Sequence, residues 1–293
     1  MTLYERFGIS RQAFYQGLQR SSEALSHQKN VIKLVQDIRN EQPNIGTEKL
    51  YGLIKEDLEK KSIKIGRCKL NSILKENGML VRKKKTMVIT TNSRHRFRKY
   101  PNLIKDTEIC QAEQVWAADI TYIRTDEGFN YLHLITDAYS KRIVGYELSD
   151  NLKAESTIKA LKMALNGRKY PDRKLTHHSD RGIQYCSDDY IQKLQDNGVS
   201  ISMTENSDPY ENAIAERVNG ILKQEFMIGE GFRNHLMALR EIKKSIYIYN
   251  HKRPHRSCKM MTPDQAHLNG TYQLPSYKFK RKPKNELSLT KNS

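Results

Sequence analysis

Three acids in this chain, Asp119, Asp180 and Glu216, are set for phosphoryl-transfer chemistry. Asp119 follows the apolar run Val115-Trp116-Ala117-Ala118, and Asp180 follows Leu175-Thr176-His177-His178-Ser179. Glu216 lies in Asp208-Pro209-Tyr210-Glu211-Asn212-Ala213-Ile214-Ala215-Glu216-Arg217, with 35 residues between it and Asp180. Carboxylates drawn together from two strand ends and one helix give hard oxygen ligands for Mg²⁺. Two such ions can promote in-line attack on a phosphodiester.

The elements that must position these acids are legible in the periodicity. Residues 115–123 read as a strand, Asp126-Glu127-Gly128 as a hairpin turn and 129–137 as the returning strand. Residues 143–148 form a third strand. A helix follows over 154–166, with Ile158, Leu161 and Leu165 on one face, and then a fourth strand over 175–179. Ser187 is expected to cap a helix carrying Tyr190, Ile191 and Leu194, which stops at Asn197-Gly198 before a fifth strand over 199–203. Two helices then run to about Tyr249. Three antiparallel strands followed by alternating helices and strands predict a mixed sheet covered by helices.

The helix carrying Glu216 is expected to begin at Asp208, with Pro209 in the first turn and Glu211 completing a capping box. Ile214, Val218, Ile221, Leu222 and Phe226 fall on one face, and Glu216 lies nearly opposite. Asn212, Asn219 and Lys223 share its polar side. That side presents a metal ligand together with an amide and an ammonium, Asn219 and Lys223, for contact with DNA. Asp137, before the turn Ala138-Tyr139-Ser140-Lys141, reads as structural, and His177 and His178 as core or rim residues. Asp188 and Asp189 suit a helix N-terminus.

Lys and Arg number 51 against 33 Asp and Glu, a net charge of +18 in 293 residues. Such an excess calls for a polyanionic partner, nucleic acid first. No long apolar run suggests a membrane span, and Met1-Thr2-Leu3-Tyr4-Glu5-Arg6-Phe7 has no signal-peptide core, so a cytoplasmic, nucleoid-associated protein is expected. The four cysteines, Cys68, Cys110, Cys186 and Cys258, form no C-x-x-C pair, and His251, His255 and Cys258 lack a fourth zinc ligand at sensible spacing.

Residues 1–81 read as helical and similar to a helix-turn-helix. Arg67, Lys69 and Lys75 lie on its second, basic helix, which Gly78 stops. Thr47 is the expected cap of the helix before it. Residues 82–108 form a basic linker in which Arg82, Lys83, Lys84 and Lys85 can track phosphates. Residues 109–270 hold the catalytic core and 271–293 a basic tail.

Trp116-Ala117-Ala118-Asp119-Ile120-Thr121-Tyr122-Ile123, His178-Ser179-Asp180-Arg181-Gly182-Ile183-Gln184-Tyr185 and the stretch 208–217 resemble the second-frame transposase proteins of IS3-family insertion sequences. Lys223, Glu225 and Tyr249-Asn250-His251-Lys252-Arg253-Pro254-His255 fit the same pattern. The resemblance covers residues 45–265. It implies an RNase H-like α/β core of the retroviral integrase type, with Asp119, Asp180 and Glu216 as a DDE triad using two Mg²⁺ or Mn²⁺ ions. It also implies strand cleavage and strand transfer on double-stranded DNA at the terminal inverted repeats and in the target. A first-frame partner protein or fusion, and a homo-oligomer on DNA, are implied with it. Lys223 matches a DNA-contacting lysine of retroviral integrases. A nuclease without strand transfer, and a non-enzymatic DNA-binding regulator, are the alternative readings.

Overall fold

The computed structural model describes residues 8, 10–81, 96–105, 107–205 and 212–269. The chain divides into two compact units, residues 1–85 with 224–227, and residues 86–223 with 228–293. Arg82, Lys83, Lys84 and Lys85, the expected cap residues 208–211, and the basic tail lie outside the described residues.

The first unit holds helices α1 (Arg11–Arg39), α2 (Thr47–Lys60) and α3 (Arg67–Glu76). Ser10 caps α1 by accepting the Ala13 N–H at 3.1 Å. Val31 and Val35 of α1 pack with Leu50, Ile54 and Leu58 of α2 and Leu70, Ile73 and Leu74 of α3. Thr47 is not the cap of α2. Gly46 takes that place, and the Thr47 hydroxyl donates instead to Asn71 Oδ1 at 3.3 Å. Gly78 stops α3 as expected, at φ +65°, while Met79 N–H closes on Leu74 O. Arg67, Lys69 and Lys75 are exposed on α3, away from its buried Leu70, Ile73 and Leu74.

The second unit is built on a five-stranded sheet in the order β3-β2-β1-β4-β5. The strands are β1 (Val115–Thr125), β2 (Gly128–Asp137), β3 (Ile143–Ser149), β4 (Thr176–Ser179) and β5 (Ser200–Met203). β1, β2 and β3 are antiparallel, whereas β4 runs parallel to β1 and β5 parallel to β4. This is the mixed α/β sheet that the order of strands and helices in the sequence predicts. The helices are α4 (Ala154–Asn166), α5 (Asp188–Asp196), α6 (Ala213–Glu225), α7 (His235–His251) and α8 (Pro263–Leu268).

Side chains of a strand alternate between faces, and β1 separates two layers on that rule. Trp116 and Ala118 join Leu161 of α4 and Tyr190 and Leu194 of α5 in one cluster. Val115 and Ala117 join Ile104, Ala138 and the α6 residues Ile214 and Ala215 in the other. Asp119 continues the odd-numbered set and so faces the α6 layer.

Two local differences from the sequence reading stand out. Ser187 precedes α5 but makes no capping bond, because its hydroxyl donates to Gln184 O at 2.9 Å. α8 was not anticipated. It is opened by a capping box in which Thr262 accepts from Gln265 N–H and Gln265 Oε1 accepts from Thr262 N–H, with Pro263 in its first turn.

Candidate active site

The backbone places Asp119 and Asp180 at one level. The parallel ladder pairs Val115 with Thr176, Trp116 with His177 and Ala117 with His178, and stops there. Two residues further along each strand stand Asp119 and Asp180. β1 continues on its other side, where Asp119 pairs with Leu134, and β4 continues with Ser179 opposite Met203. The two strands therefore part just where the aspartates begin. This gap lies at the carboxyl end of β4, where the sheet changes from antiparallel to parallel, a place where such sheets form crevices.

Asp119 is half-buried. Its Oδ1 accepts the Ile120 N–H at 2.9 Å, and its Oδ2 accepts Asn219 Nδ2–H at 2.7 Å. Burial, the charge of Asp180 and the charge of Glu216 together raise its pKa to about 7, against these two hydrogen bonds. Asp180 Oδ1 accepts the Gly182 N–H at 2.9 Å. A Cβ at residue 182 would stand 2.9 Å from that same oxygen, so glycine lets the loop wrap the carboxylate.

Glu216 is exposed on the first turn of α6. Lys223, two turns on, is half-buried; burial lowers its pKa while the charge of Asp119 opposes that shift. Asn219, expected to face DNA, lies one turn on from Glu216. It is 5% exposed, and its amide is engaged by Asp119. The polar side of α6 is covered by the middle of β1, where Asp119 lies inside the strand and not at its end, a tertiary contact that helical periodicity cannot reveal.

Among the described residues, no three His, Cys, Asp or Glu side chains already stand close enough to hold a metal ion. The three acids instead form an electrostatically coupled group, seen in the raised proton affinity of Asp119. That repulsion is what a divalent cation relieves, and an all-oxygen, all-carboxylate donor set suits Mg²⁺ or Mn²⁺. The residues present fit such ions.

The neighbouring titratable groups are structural. His177 is buried and bonded to the Tyr190 hydroxyl at 2.9 Å, and burial first, then His178, lowers its pKa to about 3. His178 Nδ1 lies 2.9 Å from Ser202 Oγ. Asp137 accepts from Glu113 N–H, Ser140 N–H and Ser140 Oγ–H at 2.7–2.8 Å. The sequence reading missed Glu113. It is buried at φ +60° and receives Arg168, the Lys169 and Tyr170 N–H groups, and His267. It also missed Tyr185, whose buried hydroxyl has no hydrogen-bond partner among the described residues. Burial and the charges of Tyr190, Asp119 and Asp180 hold that phenol well above its usual pKa.

An integrase core domain model matches residues 110–209, and a second integrase core domain model matches residues 197–263. The chain is 35% identical over 261 residues to the insertion element IS600 uncharacterized 31 kDa protein of Shigella sonnei, covering 88% of this chain and 94% of that protein. It is 40% identical over 158 residues to the transposase InsF for insertion sequence IS3A of Escherichia coli, covering 52% of this chain and 53% of InsF. Among solved structures, the HTLV-2 integrase catalytic core domain in complex with magnesium is similar at a TM-score of 0.43 and 18% identity, covering 54% of this chain and 97% of that one. A simian T-cell lymphotropic virus intasome chain is similar at a TM-score of 0.48 and 17% identity, covering 82% and 75%.

Proposed function

The chain belongs to the IS3-family transposases with a DDE integrase-type core, and we propose on that premise that Asp119, Asp180 and Glu216 are its catalytic carboxylates. As a member it is a DNA transposase, a polynucleotidyl transferase. The observation that carries the residue assignment is the parting of β1 and β4, which leaves Asp119 and Asp180 level beside the helix of Glu216.

Asp119 and Asp180 would share one divalent cation, and Asp119 and Glu216 a second. When bound, such ions lower the pKa of an attacking water or DNA 3′-hydroxyl and neutralise the leaving 3′ oxygen. The chain's own contribution is placement. Gly182 N–H and Ile120 N–H each hold one oxygen of an aspartate. The Lys223 ammonium, near Asp119, is placed to meet a phosphate brought to the carboxylates. One site arranged in this way serves both hydrolysis of a strand and its joining to another.

Double-stranded DNA is the substrate, with the terminal repeats and target held by basic surface. Arg67, Lys69 and Lys75 stand exposed on α3 of the helical unit, in keeping with a phosphate- or groove-contacting role. A first-frame partner and a homo-oligomer on DNA belong to the same reading. Residues 1–81 serve as the DNA-binding domain and 109–270 as the catalytic core. Among the described residues, no helix is long and apolar enough to cross a membrane.

The test is strand cleavage on DNA carrying the element's ends, with Mg²⁺. Asp180→Asn is expected to lower the rate by several orders of magnitude while DNA binding persists. Cleavage by Asp180→Asn at the parental rate would overturn the assignment.

A further inference from the structure

Two asparagines flank Glu216 at helical spacing, four residues before it and three after. Both reach β1. Asn212 Nδ2–H donates to Ala118 O at 2.9 Å, and Asn219 Nδ2–H donates to Asp119 Oδ2 at 2.7 Å. Asn212 stands immediately before α6, and Glu216 and Asn219, three residues apart, share one side of the helix. Their targets, Ala118 and Asp119, are consecutive on the strand.

The amide orientation follows from chemistry. A backbone carbonyl only accepts, and Asp119 Oδ2 accepts here as well, so each Nδ2 faces β1. Each Oδ1 then points away, and both are buried with no hydrogen-bond partner among the described residues. The two side chains are only 6% and 5% exposed. A buried amide with half of its bonding capacity unmet is an unfavourable way to fill space, and an apolar side chain would pack there without that penalty. Two such amides side by side, both turned to the strand of Asp119, mark a geometric requirement.

We propose that Asn212 and Asn219 are positioning residues that set the register of α6 on β1 and so fix Glu216 relative to Asp119. Asn212 grips the main chain, which sets the height of the helix start. Asn219 grips Oδ2 of the carboxylate while the Ile120 N–H holds Oδ1, which keeps Asp119 in one rotamer and leaves the remaining lone pairs of both oxygens for a cation. Neither residue touches DNA or a reacting atom. The inference rests on the reading of Asp119, Asp180 and Glu216 as the catalytic carboxylates.

The full-length protein is titrated with MgCl₂ alone while its thermal unfolding is followed. Strand cleavage is then measured in Mg²⁺ and in Mn²⁺. Asn219→Ala is expected to raise the Mg²⁺ concentration for half-maximal stabilisation about tenfold or more, the usual effect of removing a partner that orients a ligand. It should lower kcat, leave KM for DNA within about twofold, and lose less activity in Mn²⁺. Asn212→Ala should move the same readouts in the same direction by less. If Asn219→Ala does not fold, Asn219→Asp, which keeps the volume and replaces the donor, carries the test. An unchanged Mg²⁺ midpoint in the folded Asn219 variant overturns the inference. Asp119→Asn separates the two levels: if it keeps the parental Mg²⁺ response, the carboxylate assignment itself fails.

Discussion

Gly145 of β3 lies directly against Ala160 of α4: a Cβ at 145 would stand 2.2 Å from the Ala160 carbonyl oxygen and 2.9 Å from Ala164 Cβ. The helix thus rests on bare strand backbone, and the layer over Trp116 and Ala118 depends on that contact. Gly145→Ala must push α4 outward. Overpacking of this kind typically costs about 1–3 kcal/mol, and backbone atoms yield less readily than side chains. A fall in Tm, with α4 amides exchanging faster with solvent, is the expected outcome. An unchanged Tm would show that the sheet and helix are not held at this spacing.

The acid cluster predicts a pH dependence. Asp119 binds its proton more tightly in the folded chain, with a pKa of about 7, than in the unfolded one. Folding therefore loses stability as pH rises from the ordinary aspartate range to about 7, and the full penalty applies above that. Without divalent metal the protein should melt lower at about pH 8 than at about pH 5.5, and MgCl₂ should recover part of the loss. Asp119→Asn should flatten this slope. A slope equally steep in that variant would place its origin elsewhere.

A second charged network ties α8 to the sheet. Buried Glu113 meets Arg168 Nε at 3.0 Å and His267 Nε2 at 3.4 Å, and His267 Nδ1 lies 3.8 Å from Asp137 Oδ1. Burial alone would raise the Glu113 pKa, but His267, Lys169 N–H, Arg168 and Tyr170 N–H bring it down to about 2. Burial likewise opposes the charged form of His267, and the two carboxylates outweigh it, so its pKa is raised. The Glu113 contribution is present above the ordinary glutamate range and lost as pH falls towards 2. The His267 contribution is full below the ordinary histidine pKa and lost as pH rises through its raised value. His267→Gln leaves Glu113 with Arg168 alone and Asp137 without its imidazolium, and breaking a buried pair in this way usually costs about 3–5 kcal/mol. Urea unfolding at neutral pH should show that loss, and a midpoint within error of the parent would contradict it.

Much of this arrangement was legible in the chain. Strands showed in the apolar runs around Val115, Leu132 and Ile143, and α4 in the spacing of Ile158, Leu161 and Leu165. The two aspartates stood out because each follows an apolar run. What escaped notice depends on covering by distant segments. Asn219 sits on the polar side of an amphipathic helix and reads as solvent-facing, yet Asp119 in the middle of β1 covers it. Glu113 is a single acid in a loop, and its partners Arg168 and His267 arrive from far along the chain. α8 has only six residues, too few to show a period, although Thr262-Pro263-Asp264-Gln265 carries its capping signal. Thr47 and Ser187 look like caps, but their hydroxyls had nearer partners.

The gap between β1 and β4 is made by main chain. The ladder stops at Ala117 and His178 whatever the next side chains are. On the proposed reading of the site, replacing an aspartate with its amide removes the chemistry and leaves the opening in place. A copy of the chain damaged in this way keeps its shape. If the carboxylates are the catalytic ones, such copies compete with intact ones for the same DNA, and loss of a carboxylate turns a catalyst into an inhibitor.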